Sequence, residues 1–197
     1  MNIRSLPAGV QRFALADLPP EPWRNGGGWT RTVAASAAGA PGHWRVSAAD
    51  ITQPGPFSVF DGIDRTAVLL RGPGLVLQGP QERVVFEGLG AVARFPGEWP
   101  LQATLGEGAA RLWNVMVDRE ALRADVQVHR GEGAVLDVPS TAVLMVVDGA
   151  LDVLDGLAAL MTLVAGEGLV LTDLARPLAL RSAQGPAHWI LTTFLPR

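Results

Sequence analysis

Four stretches of this chain combine residue types that can hold a small polar molecule. In Pro22-Trp23-Arg24-Asn25-Gly26-Gly27-Gly28-Trp29-Thr30, an amide and a hydroxyl flank three consecutive glycines between two tryptophans. Glycines in a row cost backbone entropy, so they mark a place where the chain turns sharply or passes close to something. Asn25 and Thr30 are then hydrogen-bonding groups in a pocket wall, or the stretch is a tight turn between two core tryptophans. In His43-Trp44-Arg45-Val46-Ser47-Ala48, alternation puts His43, Arg45 and Ser47 on one face of a strand. That face lines a cavity or meets solvent. Gly55 to Arg65 reads as a loop that delivers Arg65 to the start of a strand, with Asp61 or Asp64 available to orient it. In Arg111 to Val117, Asn114 shares a face with Leu112 and Met116, as a satisfied core amide or a ligand contact. An arginine fork matches a carboxylate in bidentate fashion, so the chemistry on offer is recognition of a small acid.

Other chemistries are poorly supplied. The three histidines, His43, His129 and His188, stand far apart and form no metal-ligand spacing, so no metal is expected. There is no cysteine, which excludes disulfides, thiolate metal sites and cysteine nucleophiles, and no tyrosine. Gly26-Gly27-Gly28 lacks the spacing of a phosphate or dinucleotide loop, and no nucleophile elbow occurs. His43, Ser47 and Asp50 resemble a catalytic triad only superficially. No cofactor is expected.

The elements that position these residues read as strands. Apolar runs such as Thr66–Leu70, Leu75–Leu77, Arg83–Phe86, Ala91–Phe95, Val143–Val147 and Leu169–Leu171 are short and bounded by turn residues. This rhythm predicts an all-β barrel or sandwich. Asp118–Arg123 is a candidate for a turn or two of helix, and Leu157–Val164 is ambiguous between helix and strand. The chain also looks duplicated. Thr66-Ala67-Val68-Leu69-Leu70 matches Thr141-Ala142-Val143-Leu144-Met145, and the two copies close on Asp118-Arg119 and Pro196-Arg197. Duplication predicts two barrels with a boundary near residue 120, each with room for a small ligand at its mouth.

At 197 residues and 48% hydrophobic, the chain can bury one substantial core or two small ones. A net charge of −3 without a basic run gives no reason to expect nucleic acid. No apolar run reaches the ~18–20 residues of a membrane span, and the start lacks a signal-peptide core. The expected location is cytoplasmic, with no membrane partner.

Taken together, Trp23-Arg24-Asn25-Gly26-Gly27-Gly28-x-Thr30, Trp44-Arg45-Val46-Ser47-x-Ala49, Gly55-Pro56-Phe57-Ser58-x-Phe60-x-Gly62-x-Asp64-Arg65 and Asn114-Val115-Met116 resemble the HutD/Ves family in content and order. The resemblance covers nearly the whole chain. It implies a bicupin: two β-barrels of the double-stranded β-helix or jelly-roll (RmlC-like) type in one chain, without the usual metal-binding histidines. The implied domains are residues 1–120, carrying the pocket, and 121–197, with strand exchange joining them. Carried over residue by residue, the motif makes Asn25, Thr30, Arg45, Ser47, Arg65 and Asn114 a polar lining, with Trp23, Phe57 and Met116 as apolar walls. Arg31-Thr32 stands where the family often has a basic residue followed by glutamate, so a carboxylate is missing there. The family is associated with bacterial histidine utilisation, HutD as a modulator that limits pathway activity and Ves with a stress or cold response. The expected function is binding of a small carboxylate metabolite, such as urocanate or formylglutamate, to modulate that pathway. The alternatives are a metal-free enzyme acting on a small acid and an interaction scaffold, with a homodimer formed through strand edges or faces.

Overall fold

Turn residues cut the chain into short extended runs, and the computed structural model, which describes residues 6–40, 42–138 and 140–197, pairs these runs into four antiparallel sheets. In chain order the strands begin with β1 (Val10–Ala14), β2 (Glu21–Pro22), β3 (Gly28–Ala35), β4 (Trp44–Ile51), β5 (Gly55–Pro56) and β6 (Ile63–Arg71). They continue with β7 (Leu75–Gln78), β8 (Arg83–Phe86), β9 (Val92–Pro96), β10 (Gln102–Leu105), β11 (Ala110–Asp118), β12 (Leu122–Gly131) and β13 (Gly133–Leu136). Last come β14 (Thr141–Asp148), β15 (Ala150–Asp155), β16 (Ala158–Val164), β17 (Glu167–Thr172), β18 (Leu178–Ser182) and β19 (Ala187–Pro196). Among the described residues there is no α-helix, only a 3-10 turn at Leu15–Asp17, so no helix is long and apolar enough to cross a membrane.

The all-β class follows from the sequence, but both helix candidates resolve otherwise. Asp118–Arg123 is the turn between β11 and β12, closed by Ala121 N–H donating to Asp118 O. Leu157–Val164 becomes the hairpin partner of β15, with Asp155 opposite Ala158 across a turn at Gly156.

The duplication is visible in the sheet order. One unit, Leu18–Ala124 with Leu195–Arg197, holds the sheets β2-β3-β4-β11-β6-β9 and β5-β10-β7-β8. The other, Asp125–Phe194 with the chain up to Asp17, holds β1-β17-β14-β19-β12 and β13-β18-β15-β16. Strands β4 to β11 and β12 to β19 therefore follow the same order in two copies, which are called the first and second repeats below. The additions differ: β2 and β3 extend the first repeat beside β4, and β1 extends the second beside β17.

Each unit has its own apolar core. Ile51, Ala67, Leu69, Leu75, Leu77, Phe86, Leu101 and Leu112 fill the first. Leu144, Leu151, Leu163, Leu169, Leu171, Leu178 and Trp189 fill the second. On β6 and β11 the inward positions alternate, so Arg65, Ala67 and Leu69 share a face, as do Leu112, Asn114 and Met116. The polar residues thus sit at one end of the same row that builds the core.

Candidate functional site

A cavity of about 190 Å³ opens where the inward rows of β3, β4, β6 and β11 leave the core of the first unit. Thr30 comes from β3, Arg45 from β4, Arg65 from β6, and Asn114 and Met116 from β11. Trp23, Phe57, Ser58 and Phe60 arrive on two loops. Leu112 and Ala49 form the apolar floor, and Glu21 is the only carboxylate in the lining.

Arg65 dominates the electrostatics. It is 7% exposed. Its Nε and Nη2 donate to Asn114 Oδ1 at 3.3 and 3.0 Å, and Nη1 makes a long contact of 3.4 Å to Ser58 O. Phe57, Phe95 and Phe60 surround the guanidinium, with ring centroids 5.2, 5.2 and 5.7 Å from Cζ. Aromatic faces attract a cation but do not neutralise it. Burial, and then the nearby Arg45 charge, push the Arg65 pKa down to about 10.

Three other arginines near the site are paired. Arg31 and Arg111 both hold Asp50 at 2.7 Å, and Arg119 holds Asp64 and Glu98 at 2.8 Å. No carboxylate among the described residues pairs with Arg65 or Arg45. Arg45 donates only to the Met116 sulfur, at 3.4 Å. Two acceptors of the cavity are already used: Asn114 Oδ1 serves Arg65, and Thr30 Oγ1 accepts from Trp23 Nε1 at 2.8 Å, while the Glu21 carboxylate sits on an exposed residue. Two guanidinium groups, the Asn114 amide hydrogens and the Thr30 hydroxyl hydrogen are left as donors. A site whose buried groups are mainly donors calls for a ligand that supplies acceptors and negative charge.

The structure brings together Trp23, Thr30, Arg45, Phe57, Arg65, Asn114 and Met116, seven of the residues singled out from sequence. Trp23 and Phe57 meet edge to face at 5.7 Å and form one wall. Asn25 lies outside this lining. Its side chain accepts from Gly27 N–H and donates to Pro56 O, both at 3.0 Å, tying the glycine turn to the loop that carries Phe57. It borders an adjoining, more open cavity with Arg24. Ser47 is also outside the lining, 1% exposed beside Asn114 on the next strand, its hydroxyl unpartnered. The glycines turn and approach at different positions. Gly26 has φ +70°, and a Cβ on Gly28 would sit 2.0 Å from Asp50 O.

Neither aspartate of the Gly55–Arg65 loop orients Arg65. Asn114 does so, while Asp64 points to the other face of β6 and binds Arg119 and Arg197. Arg119 also donates to Ile63 O, its N–H donates to Gly62 O, and Glu98 accepts from Gly62 N–H. This network clamps the loop just before Arg65. Hydrogen bonds from Arg119, then from backbone N–H groups, hold the Glu98 pKa at about 2. Sequence reasoning missed Arg119 as part of this clamp, and missed Phe60, Phe95 and Ser58 as site residues. Phe60 lies in a recognisable motif, but Phe95 meets Arg65 only through the β6–β9 register, which no local pattern announces.

The HutD family model matches residues 15–189 of the chain. A protein from the 3′ region of hutC in Pseudomonas putida is 33% identical over 148 residues, covering 73% of this chain and 77% of its own length. Protein Ves of Citrobacter koseri is 33% identical over 121 residues, 60% of this chain and 63% of its own. The structure of HutD from Pseudomonas fluorescens aligns with a TM-score of 0.80 at 24% identity, over 95% of this chain and 99% of that one. The oxalate decarboxylase of Lactobacillus farciminis shares the cupin-like fold alone, with a TM-score of 0.59 at 9% identity over 94% and 88% of the two chains.

Proposed function

Because the chain belongs to the HutD family, we propose that it binds a small carboxylate metabolite and thereby modulates histidine utilisation. One observation carries the proposal: Arg65 is buried beside Arg45 with no carboxylate partner among the described residues. A buried charge is costly unless compensated, and a bound carboxylate compensates it. The cavity accepts a molecule of a few heavy atoms beyond the carboxylate, and Trp23, Phe57 and Met116 offer apolar contact for its body. Urocanate and formylglutamate are the candidate ligands, the HutD and hutC names of the relatives supporting a role near histidine breakdown. In the same proposal the two repeats are two cupin barrels of a bicupin, supported by their shared strand order. The protein then works in the cytoplasm without metal, cofactor, nucleic acid or membrane.

A thermal-shift titration with urocanate, formylglutamate, histidine and glutamate tests it. A ligand that binds only the folded state stabilises by RT ln(1 + [L]/Kd), about 2.7 kcal/mol at a hundredfold excess over Kd. The expected result is a shift with one of the acids that disappears in Arg65→Ala. No shift with any of them, or equal binding by Arg65→Ala, overturns the proposal.

A further inference from the structure

On the opposite face of β6 lies a larger groove, of about 360 Å³, lined by Asp64, Thr66, Arg94, Val117, Arg123 and Arg197 among others. We propose that this groove is a second binding site, for a multivalent anion bearing carboxylate or phosphate groups. Side chains alternate along a strand, so Asp64 and Thr66 face the groove from β6; Arg65 borders both spaces, whereas Thr30, Arg45, Asn114 and Met116 line the carboxylate cavity and not the groove.

The charges do not balance. Arg94 and Arg123 are exposed and pair with no carboxylate among the described residues. Arg197 reaches Asp64 Oδ2 at 3.2 Å and is half exposed. Asp64 is already shared, since Arg119 holds its Oδ1 at 2.8 Å and also takes Glu98. Four cations thus meet two carboxylates on a protein whose net charge is −3. Like charges gathered in a concave groove raise the local concentration of anions. Arginine forks from separate segments suit an anion with several oxygens better than a single carboxylate.

The fold itself does not require these cations. Thr66 faces Arg94 across β6 and β9, whereas Thr141, its counterpart in the second repeat, faces Thr172 across β14 and β17. A threonine pair satisfies the same register, so the arginine is an addition specific to the first repeat.

Isothermal titration at low ionic strength with pyrophosphate, citrate and pentaglutamate tests the site, using the full chain and two variants. Arg94→Gln with Arg123→Gln changes only exposed side chains, and Arg45→Ala reports on the other cavity, since Arg45 lines that cavity and not the groove. The proposal expects binding of at least one probe, weakened about tenfold or more in the double variant, weakened by added salt and unchanged in Arg45→Ala. Tighter binding of pentaglutamate than of citrate identifies an acidic protein segment as the source of the anion. The reverse identifies a free metabolite. Absence of binding by all three probes at millimolar concentration overturns the site, as does binding that survives the double variant. Binding lost only in Arg45→Ala also overturns it, while leaving the carboxylate cavity of the first unit intact.

Discussion

The two repeats share a register but not a chemistry. Asn114 lies opposite Ala67 in the first, and Thr193 lies opposite Ala142 in the second. Leu112 and Leu191 oppose Leu69 and Leu144 in the same way. Arg65, just before Thr66, has Ser140 as its counterpart before Thr141. The apolar rows are thus maintained in both copies, while the guanidinium and its amide occur in one. In the second repeat the large buried ring is Trp189, part of the core, with the His129 ring stacked on it at 3.9 Å. The comparison teaches that the strand order asks for alternating apolar residues, and that a buried guanidinium with no carboxylate partner among the described residues is an extra cost that the first repeat bears and the register does not require.

The largest effect expected from breaking this comparison is in the second repeat. Trp189→Ala should cost about 3–5 kcal/mol, the usual price of emptying a large aromatic site, read from urea denaturation. Arg65→Met in the first repeat should change stability by no more than about 1 kcal/mol, because an apolar residue relieves the desolvated charge. A severe loss in Arg65→Met together with a mild one in Trp189→Ala would reverse the roles assigned to the two repeats.

Asn114→Ala is next in size. It removes the acceptor of two Arg65 hydrogen bonds and should cost about 1–3 kcal/mol. The double variant Arg65→Met with Asn114→Ala should recover part of that loss, since no buried donor is then stranded. A strictly additive pair in a double-mutant cycle would show that the two side chains do not act as a unit.

Acid should separate the repeats as well. Burial lowers the pKa of His129 and of His188, the latter also through Arg130. The unfolded chain therefore takes up these protons first. Their contribution to stability is complete above the ordinary value of 6.5 and drains away as pH falls below it. Glu98 is a depressed acid: its contribution is present above 4.5 and is lost as pH falls toward about 2. Protection of the amides around His129 and His188, relative to their intrinsic exchange rates, should fall between pH 7 and 4.5 while the Gly62–Arg65 loop stays protected. Loosening of that loop first would contradict the assignment.

The smallest effect is expected at Arg119. Its partners are partly exposed, so Arg119→Ala should leave the fold in place. It should still weaken ligand binding, because Ile63 O, Asp64 and Glu98 lose their common donor next to Arg65. Unchanged affinity would show that the loop needs no clamp.

Much of the site was legible because its residues recur at strand spacing. Arg45 follows from alternation in β4, and Asn114 from its place between Leu112 and Met116. Gly26 and Gly28 announce a constraint on the backbone, although sequence could not say that one turns and the other approaches Asp50. The all-β class and the duplication were equally readable, since short apolar runs punctuated by glycine, proline and aspartate are a local signal. What only the tertiary structure decided depends on which strands become neighbours. Phe95 meets Arg65 through the pairing of β6 with β9, and Asp64 finds Arg119 and Arg197 from distant parts of the chain. Asn25 and Ser47 looked like ligand contacts by residue type, but the fold turned one to brace a loop and buried the other beside Asn114. Local propensity determines that a segment is extended and which side chains share a face. Partner strands are chosen by burial across the whole chain, and so the company kept by each polar group is a global property.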